Sequence, residues 1–434
     1  MIEFFSLGAA GLVQQDKGEE KGSKQMRSRL VLTFGVLLGW GPHLAAEVLY
    51  TITDLGTLGG KSSFAANLNN AGQIVGQAST STEEYHAFLY SDGQMMDLGT
   101  LGGHNSSAAS INNAGQITGN SETPGGTAYT THAFLYSDGQ MQDLGTLGGI
   151  SSGGVAINNA GQITGSLRTS TVDYHAFLYS DGQTQDLGTL GGSSSGGSSI
   201  NNAGQVVGVS QTSTSSNYFG FLYSNGQMTN LGTLGLPYTA SIYADRINDA
   251  GQIAGYAETS SDPNFSVHAF LYSNGQFTDL GTLGGNISFA YGINNAGQIV
   301  GVADTSTGDR HGFLYSDGQM RDLNDLIDLT QIDPALRNIP LAPSSINDRG
   351  QIVANQLIYS CITIDTLHCS PSIYHAYLLT PVPGTGPCWG WFCGSGGESG
   401  NTDNSGHPGT PPARAISLRN GSDQPDTQSG SVQR

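Results

Sequence analysis

Basic residues are few in this chain, and a third of them lie near its start. The 434 residues include 15 lysines and arginines against 34 aspartates and glutamates, which gives a formal net charge of −19. After residue 46 the single remaining lysine is Lys61. A surface so poor in cations repels phosphate backbones and anionic lipid headgroups. We therefore expect neither nucleic acid nor a membrane surface as a partner.

Long hydrophobic runs are also missing, and the longest candidate is too short to cross a bilayer comfortably. It covers residues 30–41, follows a basic segment at residues 24–29 and precedes Ala45 and Ala46. This order is typical of a secretory signal. We predict an upstream extension over residues 1–25 that is not part of the natural protein, a start at Met26 and a signal peptide over residues 26–46. An uncleaved anchor or a buried helix is the alternative.

Cysteine occurs four times, always late in the chain, at Cys361, Cys369, Cys388 and Cys393. An even number of cysteines in an exported protein favours disulfides. Neighbours in sequence are the favoured pairs, Cys361 with Cys369 and Cys388 with Cys393, although four cysteines allow three connectivities. Their spacing matches no zinc site, and no cofactor is expected.

The rest of the chain is dominated by three motifs that recur seven times each, in a fixed order. Asp-Leu-Gly-Thr-Leu-Gly-Gly or a variant begins at Asp54, Asp97, Asp143, Asp186, Asn230, Asp279 and Asp322. Ile-Asn-Asn-Ala-Gly-Gln-Ile-Val-Gly or a variant begins at Leu68, Ile111, Ile157, Ile200, Ile247, Ile293 and Ile346. His-Ala-Phe-Leu-Tyr or a variant begins at His86, His132, His175, Phe219, His268, His311 and His375.

Each period contains four strand-like runs, which is typical of a propeller blade. Asp92-Gly93 predicts a two-residue hairpin turn, with the returning strand over residues 94–101. The chain opens with one isolated fourth strand and closes with three strands alone, so the ends add up to one blade. We predict an all-β fold over residues 47–381, a seven-bladed β-propeller of four-stranded antiparallel blades whose N-terminal strand closes the last blade. An open stack or solenoid is the alternative. Residues 382–434 are predicted to be disordered.

The three motifs together resemble those of the extracellular HAF-repeat family of bacteria, over residues 49–381. The resemblance implies export and a repeat architecture, and it supplies no catalytic residue.

The recurring histidines invite a metal or catalytic interpretation, but the predicted geometry opposes it. Third strands of adjacent blades would stand about 15 Å apart, since strands are spaced by about 4.8 Å. Metal–nitrogen bonds are near 2 Å. We therefore expect each histidine to make hydrogen bonds within its own blade.

Sequence variation is concentrated in the loops at one end of the predicted blades, where binding sites usually lie. Aromatic residues populate these loops or their margins: Tyr85, Tyr129, Tyr174, Tyr218, Tyr238, Tyr243, Phe265 and Tyr291. Together with the predicted export, they predict a monomeric, non-catalytic binding or surface-structural module whose partner is extracellular polysaccharide or a surface protein. Two alternatives remain: the rings fill gaps between blades, or the protein is a carbohydrate-active hydrolase or lyase.

Overall fold

Antiparallel β-sheet makes up nearly all of the part of the chain that the computed structural model describes. This part comprises residues 49–126, 130–146, 148–169, 173–213, 215–233, 241–259, 266–328, 330, 340–361 and 369–383. It contains 28 strands and one short 3-10 helix, so the predicted all-β class is confirmed.

The strands follow one another in groups of four, preceded by the single strand β1 (Tyr50–Asp54). Repeats one and two are β2 (Gly59–Leu68), β3 (Ile74–Thr80), β4 (Tyr85–Ser91), β5 (Gln94–Asp97), and β6 (Ser106–Ile111), β7 (Ile117–Glu122), β8 (Thr131–Ser137), β9 (Gln140–Asp143). Repeats three and four are β10 (Ser151–Ile157), β11 (Ile163–Arg168), β12 (Tyr174–Ser180), β13 (Gln183–Gly188), and β14 (Gly191–Ile200), β15 (Val206–Thr212), β16 (Ser215–Ser224), β17 (Gln227–Asn230).

Repeats five and six are β18 (Ile242–Ile247), β19 (Ile253–Glu258), β20 (Val267–Ser273), β21 (Gln276–Asp279), and β22 (Gly284–Ile293), β23 (Ile299–Thr305), β24 (Arg310–Ser316), β25 (Gln319–Asp322). The 3-10 helix Leu323–Asp325 follows, and repeat seven supplies β26 (Leu341–Ile346), β27 (Ile352–Cys361) and β28 (Cys369–Pro381). Repeats one to four each form a separate four-stranded sheet, whereas a single parallel pair, Val267 with Ile287, joins repeats five and six into one sheet.

The fourth strand of the last sheet is β1, which comes from the opposite end of the described chain. Its order is β1-β28-β27-β26, with Ile52 opposite Leu379 in an antiparallel pair. Tyr50 and Ile52 are buried in the core of this sheet. The predicted addition of the N-terminal strand to the last three strands is therefore confirmed.

The other edge of β1 is covered by the segment that follows the 3-10 helix. Leu326 O accepts hydrogen bonds from the N–H groups of Leu49 and Tyr50, and Asp328 N donates to Tyr50 O. This segment lies between β25 and β26. It shields a strand edge that would otherwise be open to another chain.

Two kinds of tight turn recur along the chain, one in repeats one to six and the other in all seven repeats. At the hairpin between third and fourth strands, Asp92 has φ 53° and Gly93 has φ 79°, the pair of positive values that a type I′ turn requires. The predicted turn is correct, but the strand after it is shorter than predicted. It ends at Asp97 rather than at residue 101, because the Asp97 carboxylate accepts a hydrogen bond from Gly99 N and turns the chain.

The turn between first and second strands links neighbouring repeats. Within it, Asn69 Oδ1 accepts the N–H groups of Ala71 and Gln73, while Asn69 Nδ2 donates to Asn112 O of the next repeat. The same bond recurs from each repeat to the next, and in repeat seven Asn347 Nδ2 donates to Asn69 O at 2.9 Å. The donors are Asn69, Asn112, Asn158, Asn201, Asn248, Asn294 and Asn347. These hydrogen bonds form an unbroken cycle through all seven repeats.

Both faces of the third strands are buried between neighbouring repeats. In β4, Ala87 and Phe88 point to opposite faces and have no exposed surface. Ser106 of repeat two accepts the N–H of Ala87 and donates to Gly99 O, so one hydroxyl joins two repeats. Buried backbone groups are satisfied in this way where sheets meet.

Candidate functional site

The recurring histidines each pair with an aspartate on the neighbouring fourth strand, as predicted for a role within the repeat. Distances from Nδ1 to the nearest carboxylate oxygen run from 2.6 to 3.2 Å. The pairs are His86–Asp97, His132–Asp143, His175–Asp186, His268–Asp279, His311–Asp322 and His375–Asp54. Repeat four has Phe219 instead of histidine, and Asn230 replaces the aspartate. Because repeat four lacks both the histidine and the aspartate, the two residues act as a pair, and we interpret the pair as structural.

The pair His375–Asp54 joins β28 to β1, and its pKa shifts predict how pH affects this contact. The hydrogen bond to Asp54 raises the pKa of His375 above its ordinary 6.5. Burial alone would raise the pKa of Asp54, but His375 and the Gly56 N–H hold it below its ordinary 3.8. The contribution of His375 to the free energy of unfolding is therefore complete below pH 6.5 and is lost as the pH rises through the raised pKa of His375. The aspartate contribution is present above pH 3.8 and is lost as pH falls through the lowered pKa.

We expect the stability difference between the protein and an Asp54→Asn variant to be larger at pH 5.5 than at pH 9. Both groups are partly exposed, so the difference should be about 0.2–1 kcal/mol. Urea unfolding at the two pH values measures it. A difference that does not change with pH would show that His375 carries no charge in this contact.

The strongest candidate for a binding surface is a group of four partly exposed aromatic rings, which we call the aromatic patch: Tyr243, Tyr256, Phe289 and Tyr291. Tyr243 stacks on Tyr256, with ring centroids 4.7 Å apart, and Tyr256 meets Phe289 edge-on at 4.8 Å. Phe289 and Tyr291 are parallel at 6.3 Å, and the Arg310 guanidinium lies 5.4 Å from the Phe289 ring. The patch spans repeats five and six.

Strand register explains why these rings meet. Tyr243 and Tyr256 are opposite each other on β18 and β19, while Phe289 stands on the first strand of the next repeat. Tyr243 lies near the start of its strand and Tyr256 near the end of its own, so both belong to the end of the repeats where loops vary. A rigid sheet thus presents a continuous apolar surface beside those loops.

The structure brings together only some of the aromatic residues that the sequence predicted as ligand-facing. Tyr243 and Tyr291 belong to the patch, and Tyr218 lies near Tyr243. Tyr85 and Tyr174 are 38% and 47% exposed but stand in repeats one and three, outside the patch. The remaining predicted residues lie outside the described part of the chain: Tyr129, Tyr238 and Phe265.

The electrostatic environment of the patch is set by burial and by one carboxyl group. Burial, and after it Asp245, raises the pKa of both Tyr256 and Tyr291, so these hydroxyls stay protonated. Burial raises the pKa of Tyr243 as well, with Glu258 the next cause. Asp245 itself has its pKa raised to about 6 by burial, against the effect of Arg246. The patch therefore offers neutral rings and hydroxyls beside one carboxyl that titrates near neutrality.

Two cavities lie where the first strands of all seven repeats converge. They share a girdle of aliphatic side chains, Leu68 and the six equivalent isoleucines from Ile111 to Ile346. One cavity, of about 170 Å³, is bounded by the asparagine-rich turns. The other, of about 180 Å³, lies on the opposite side of the girdle; we call it the inner chamber. Arg246 is the charged residue among those that line the inner chamber.

Sequence reasoning missed Tyr256, Phe289, Arg310, Asp245 and Arg246. Apart from Phe289, which has Phe64 as its equivalent in repeat one, their signal is departure from the repeat. Tyr256, for example, stands where repeat one has Gln77 and repeat two has Asn120. Comparing the seven repeats position by position, rather than searching the loops for aromatics, would have pointed to repeats five and six.

Other predicted features are only partly visible. The backbone register places Cys361 opposite Cys369 at the ends of β27 and β28, while their side chains, with Cys388 and Cys393, lie outside the described part. Residues 1–46 and 384–434 lie outside it as well. The described residues include no cluster of three or more metal-ligating histidine, cysteine or acidic side chains. They also include no helix long and apolar enough to cross a membrane.

No protein-family profile and no curated protein sequence matches this chain. Among solved structures it is similar to TolB from Acinetobacter baumannii, with a TM-score of 0.40 and 14% identity, covering 57% of this chain and 62% of that one. It is also similar to a puromycin-hydrolyzing peptidase of Mycobacterium tuberculosis, with a TM-score of 0.42 and 10% identity over 69% and 49% of the two chains. A mutant of the Aleuria aurantia lectin in complex with alpha-methyl-L-fucoside gives a TM-score of 0.33 and 11% identity over 63% and 94%. The likenesses are distant, and the chain spans less than two thirds of the first two proteins.

Proposed function

We propose that the seven repeats close into a seven-bladed β-propeller, with β1 completing the seventh blade. Three observations support this architecture. The Asn69-type hydrogen bonds return to their starting repeat. Both central cavities are lined by equivalent residues of all seven repeats. Finally, β1 pairs with β28 along its whole length.

On this scaffold we propose a non-catalytic module that binds polysaccharide across the aromatic patch. The observation that carries the proposal is the continuity of four partly exposed rings at the end of the repeats where loops vary. Sugar rings present flat faces of C–H groups that stack on aromatic rings, while tyrosine hydroxyls supply hydrogen bonds. Arg310, whose guanidinium lies over the Phe289 ring, adds a hydrogen-bond donor. The scarcity of cations elsewhere favours a neutral polymer.

Replacing Phe289 with alanine should weaken polysaccharide binding about tenfold or more, which corresponds to ~1.4 kcal/mol. Phe289 is the ring that contacts Tyr256, Tyr291 and Arg310, so its loss breaks the patch in the middle. A glycan array followed by titration calorimetry with the best-bound polymer measures the effect. The matched control is Phe64→Ala, which removes an exposed phenylalanine ring from a separate pair with Tyr374, in repeats one and seven. Equal loss in both variants would disprove the role of the patch.

One observation favours a second candidate, a carbohydrate-active hydrolase or lyase. A carboxyl group with a pKa of about 6 is suited to act as a general acid near neutral pH, and Asp245 has such a pKa beside Tyr256 and Tyr291. Glycoside hydrolysis ordinarily needs a second carboxylate, and Glu258 near Tyr243 is one candidate. Release of reducing ends that is abolished by Asp245→Asn would favour the enzyme; binding without release favours the module.

We also propose that the protein is exported and belongs to the HAF-repeat family. The basic and apolar order of residues 24–46 and the seven ordered motif copies support this. N-terminal sequencing of secreted protein should begin at Glu47. Retention in the cytoplasm would contradict export.

A further inference from the structure

The inner chamber combines a polar wall with one charged group. It lies on the side of the aliphatic girdle from which the first strands enter, the same end of the repeats as the aromatic patch. The position that faces it holds Arg246 in repeat five. In the other repeats this position is small or neutral: Asn67, Ser110, Ala156, Ser199, Gly292 and Ser345. A single guanidinium therefore projects among hydroxyls and an amide.

The hydrogen-bonding capacity of Arg246 is largely unused. Its Nη1 donates to the carbonyl oxygen of Asp245 at 2.9 Å, and its other N–H groups meet no acceptor among the described residues. Guanidinium carries five N–H donors in a planar fork and accepts nothing. A half-buried cation with unmatched donors is unfavourable unless something else accepts its hydrogen bonds.

The nearest carboxyl group does not fill this role. Asp245 is the bulged residue beside Arg246, and it is not part of the chamber wall. It lies instead towards Tyr256 and Tyr291, whose pKa values it raises. The side of Arg246 that faces the chamber is thus left without a counter-charge from the described part of the protein.

The wall of the chamber offers further donors. Ser110 Oγ accepts the N–H of Ile157, and Ser199 Oγ accepts the N–H of Ile247, both at 3.4 Å. Because a hydroxyl can accept and donate at once, each still has its own O–H to give. Donors converging from several strands on a small polar space suit an anion.

We propose that the inner chamber is a binding site for one small oxyanion, a carboxylate or a phosphate, with Arg246 as its principal donor and Ser110 and Ser199 as secondary donors. Guanidinium matches the two oxygens of such a group. The negative net charge of the whole protein weakens the site little, because exposed charges beyond about 10 Å are screened at ordinary ionic strength. The site does not depend on polysaccharide binding by the aromatic patch.

Titration calorimetry of the full chain with sodium glucuronate, sodium acetate, inorganic phosphate and glucose tests the site. We expect saturable one-to-one binding of at least one anion and none of glucose. Binding of glucuronate and acetate would identify a carboxylate site, and binding of phosphate alone an inorganic or phosphorylated ligand. Absence of saturable binding by every anion would overturn the proposal.

Variants distinguish an arginine that binds an anion from an arginine that has only a structural role. Arg246→Gln should weaken anion binding at least tenfold. Arg349→Gln, which removes the same charge from an exposed turn at the other end of the repeats, should leave it unchanged. Ser198→Leu fills the chamber without altering charge and should also abolish binding, so the test stands even if Arg246→Gln does not fold. Phe289→Ala should retain the anion. Full binding by a folded Arg246→Gln protein would refute the assignment.

Discussion

A chain that begins at Gly56, and so lacks β1, should unfold at a markedly lower temperature than the full protein and should aggregate. Removal of this strand takes away the buried side chains of Tyr50, Ile52 and Leu55. At about 1.5–3 kcal/mol for each buried side chain, the loss is roughly 4.5–9 kcal/mol. It also leaves the edge of β28 unpaired, which is a template for association with other chains. Differential scanning calorimetry and light scattering measure both effects.

A synthetic peptide of residues 47–58, added to the shortened chain, should restore much of the lost stability. The peptide supplies the strand that pairs with β28 and the aspartate that pairs with His375. The control is the same peptide with Ile52→Asp, which places a charge opposite Leu379 in a buried position and should not bind. If the shortened chain melts at the temperature of the full protein, the closing role of β1 is wrong.

Replacing Gly76 with alanine should destabilise the protein by about 3 kcal/mol or more, although the change adds one methyl group. An added Cβ would lie 1.9 Å from Phe64 O and 2.9 Å from Phe64 C. Both atoms belong to the backbone of the neighbouring strand, so relief requires β2 to move away from β3. Equivalent glycines in repeats two to six meet the same obstacle, as at Gly119, where the distance to Ser107 O is 2.0 Å.

Repeat seven supplies the matched control for this prediction. Ala354 occupies the equivalent place on β27, opposite Pro343. We expect Ala354→Gly to cost only about 0.5–1 kcal/mol, the ordinary entropic penalty of glycine. Urea unfolding of the two variants gives the comparison. Similar costs for both would mean that the close approach at Gly76 is easily relieved.

Much of the fold could be predicted because the motifs recur, and recurrence shows the number and order of the strands, which a single strand does not. Asp92-Gly93 indicates a tight turn because both residues tolerate positive φ values, and the six copies of this turn, as Asp-Gly or Asn-Gly, show the spacing of the strands. The predicted length of the fourth strand was wrong because Asp-Leu-Gly is apolar enough to continue a strand. What ends the strand is the hydrogen bond from Gly99 N to Asp97, which the pattern of apolar residues does not register.

The candidate site was predicted less well, because it is formed by exceptions to the repeat. Tyr243 and Tyr291 were chosen for their place near loops, but Tyr256 and Phe289 lie within strands and look like core residues in sequence. Their partial exposure depends on which side chains surround them in the neighbouring repeat. Likewise, Arg246 is an ordinary polar residue in sequence, and only the convergence of seven first strands gives it a chamber to face.

The contacts at the junctions between neighbouring repeats have a consequence for folding of the molecule. At most junctions a third-strand alanine donates its N–H to a serine of the next repeat. Two junctions instead place a glycine against a larger residue, Gly220 against Ile242 and Gly312 against Leu341. Near-identical modules can join in the wrong order or trade strands with a second molecule while they fold. We expect the two unlike junctions to disfavour such errors, because a repeat from the wrong position does not fit against them. Giving these two junctions the alanine and serine of the others should therefore produce more misassembled, oligomeric protein on refolding. Size-exclusion chromatography measures this product.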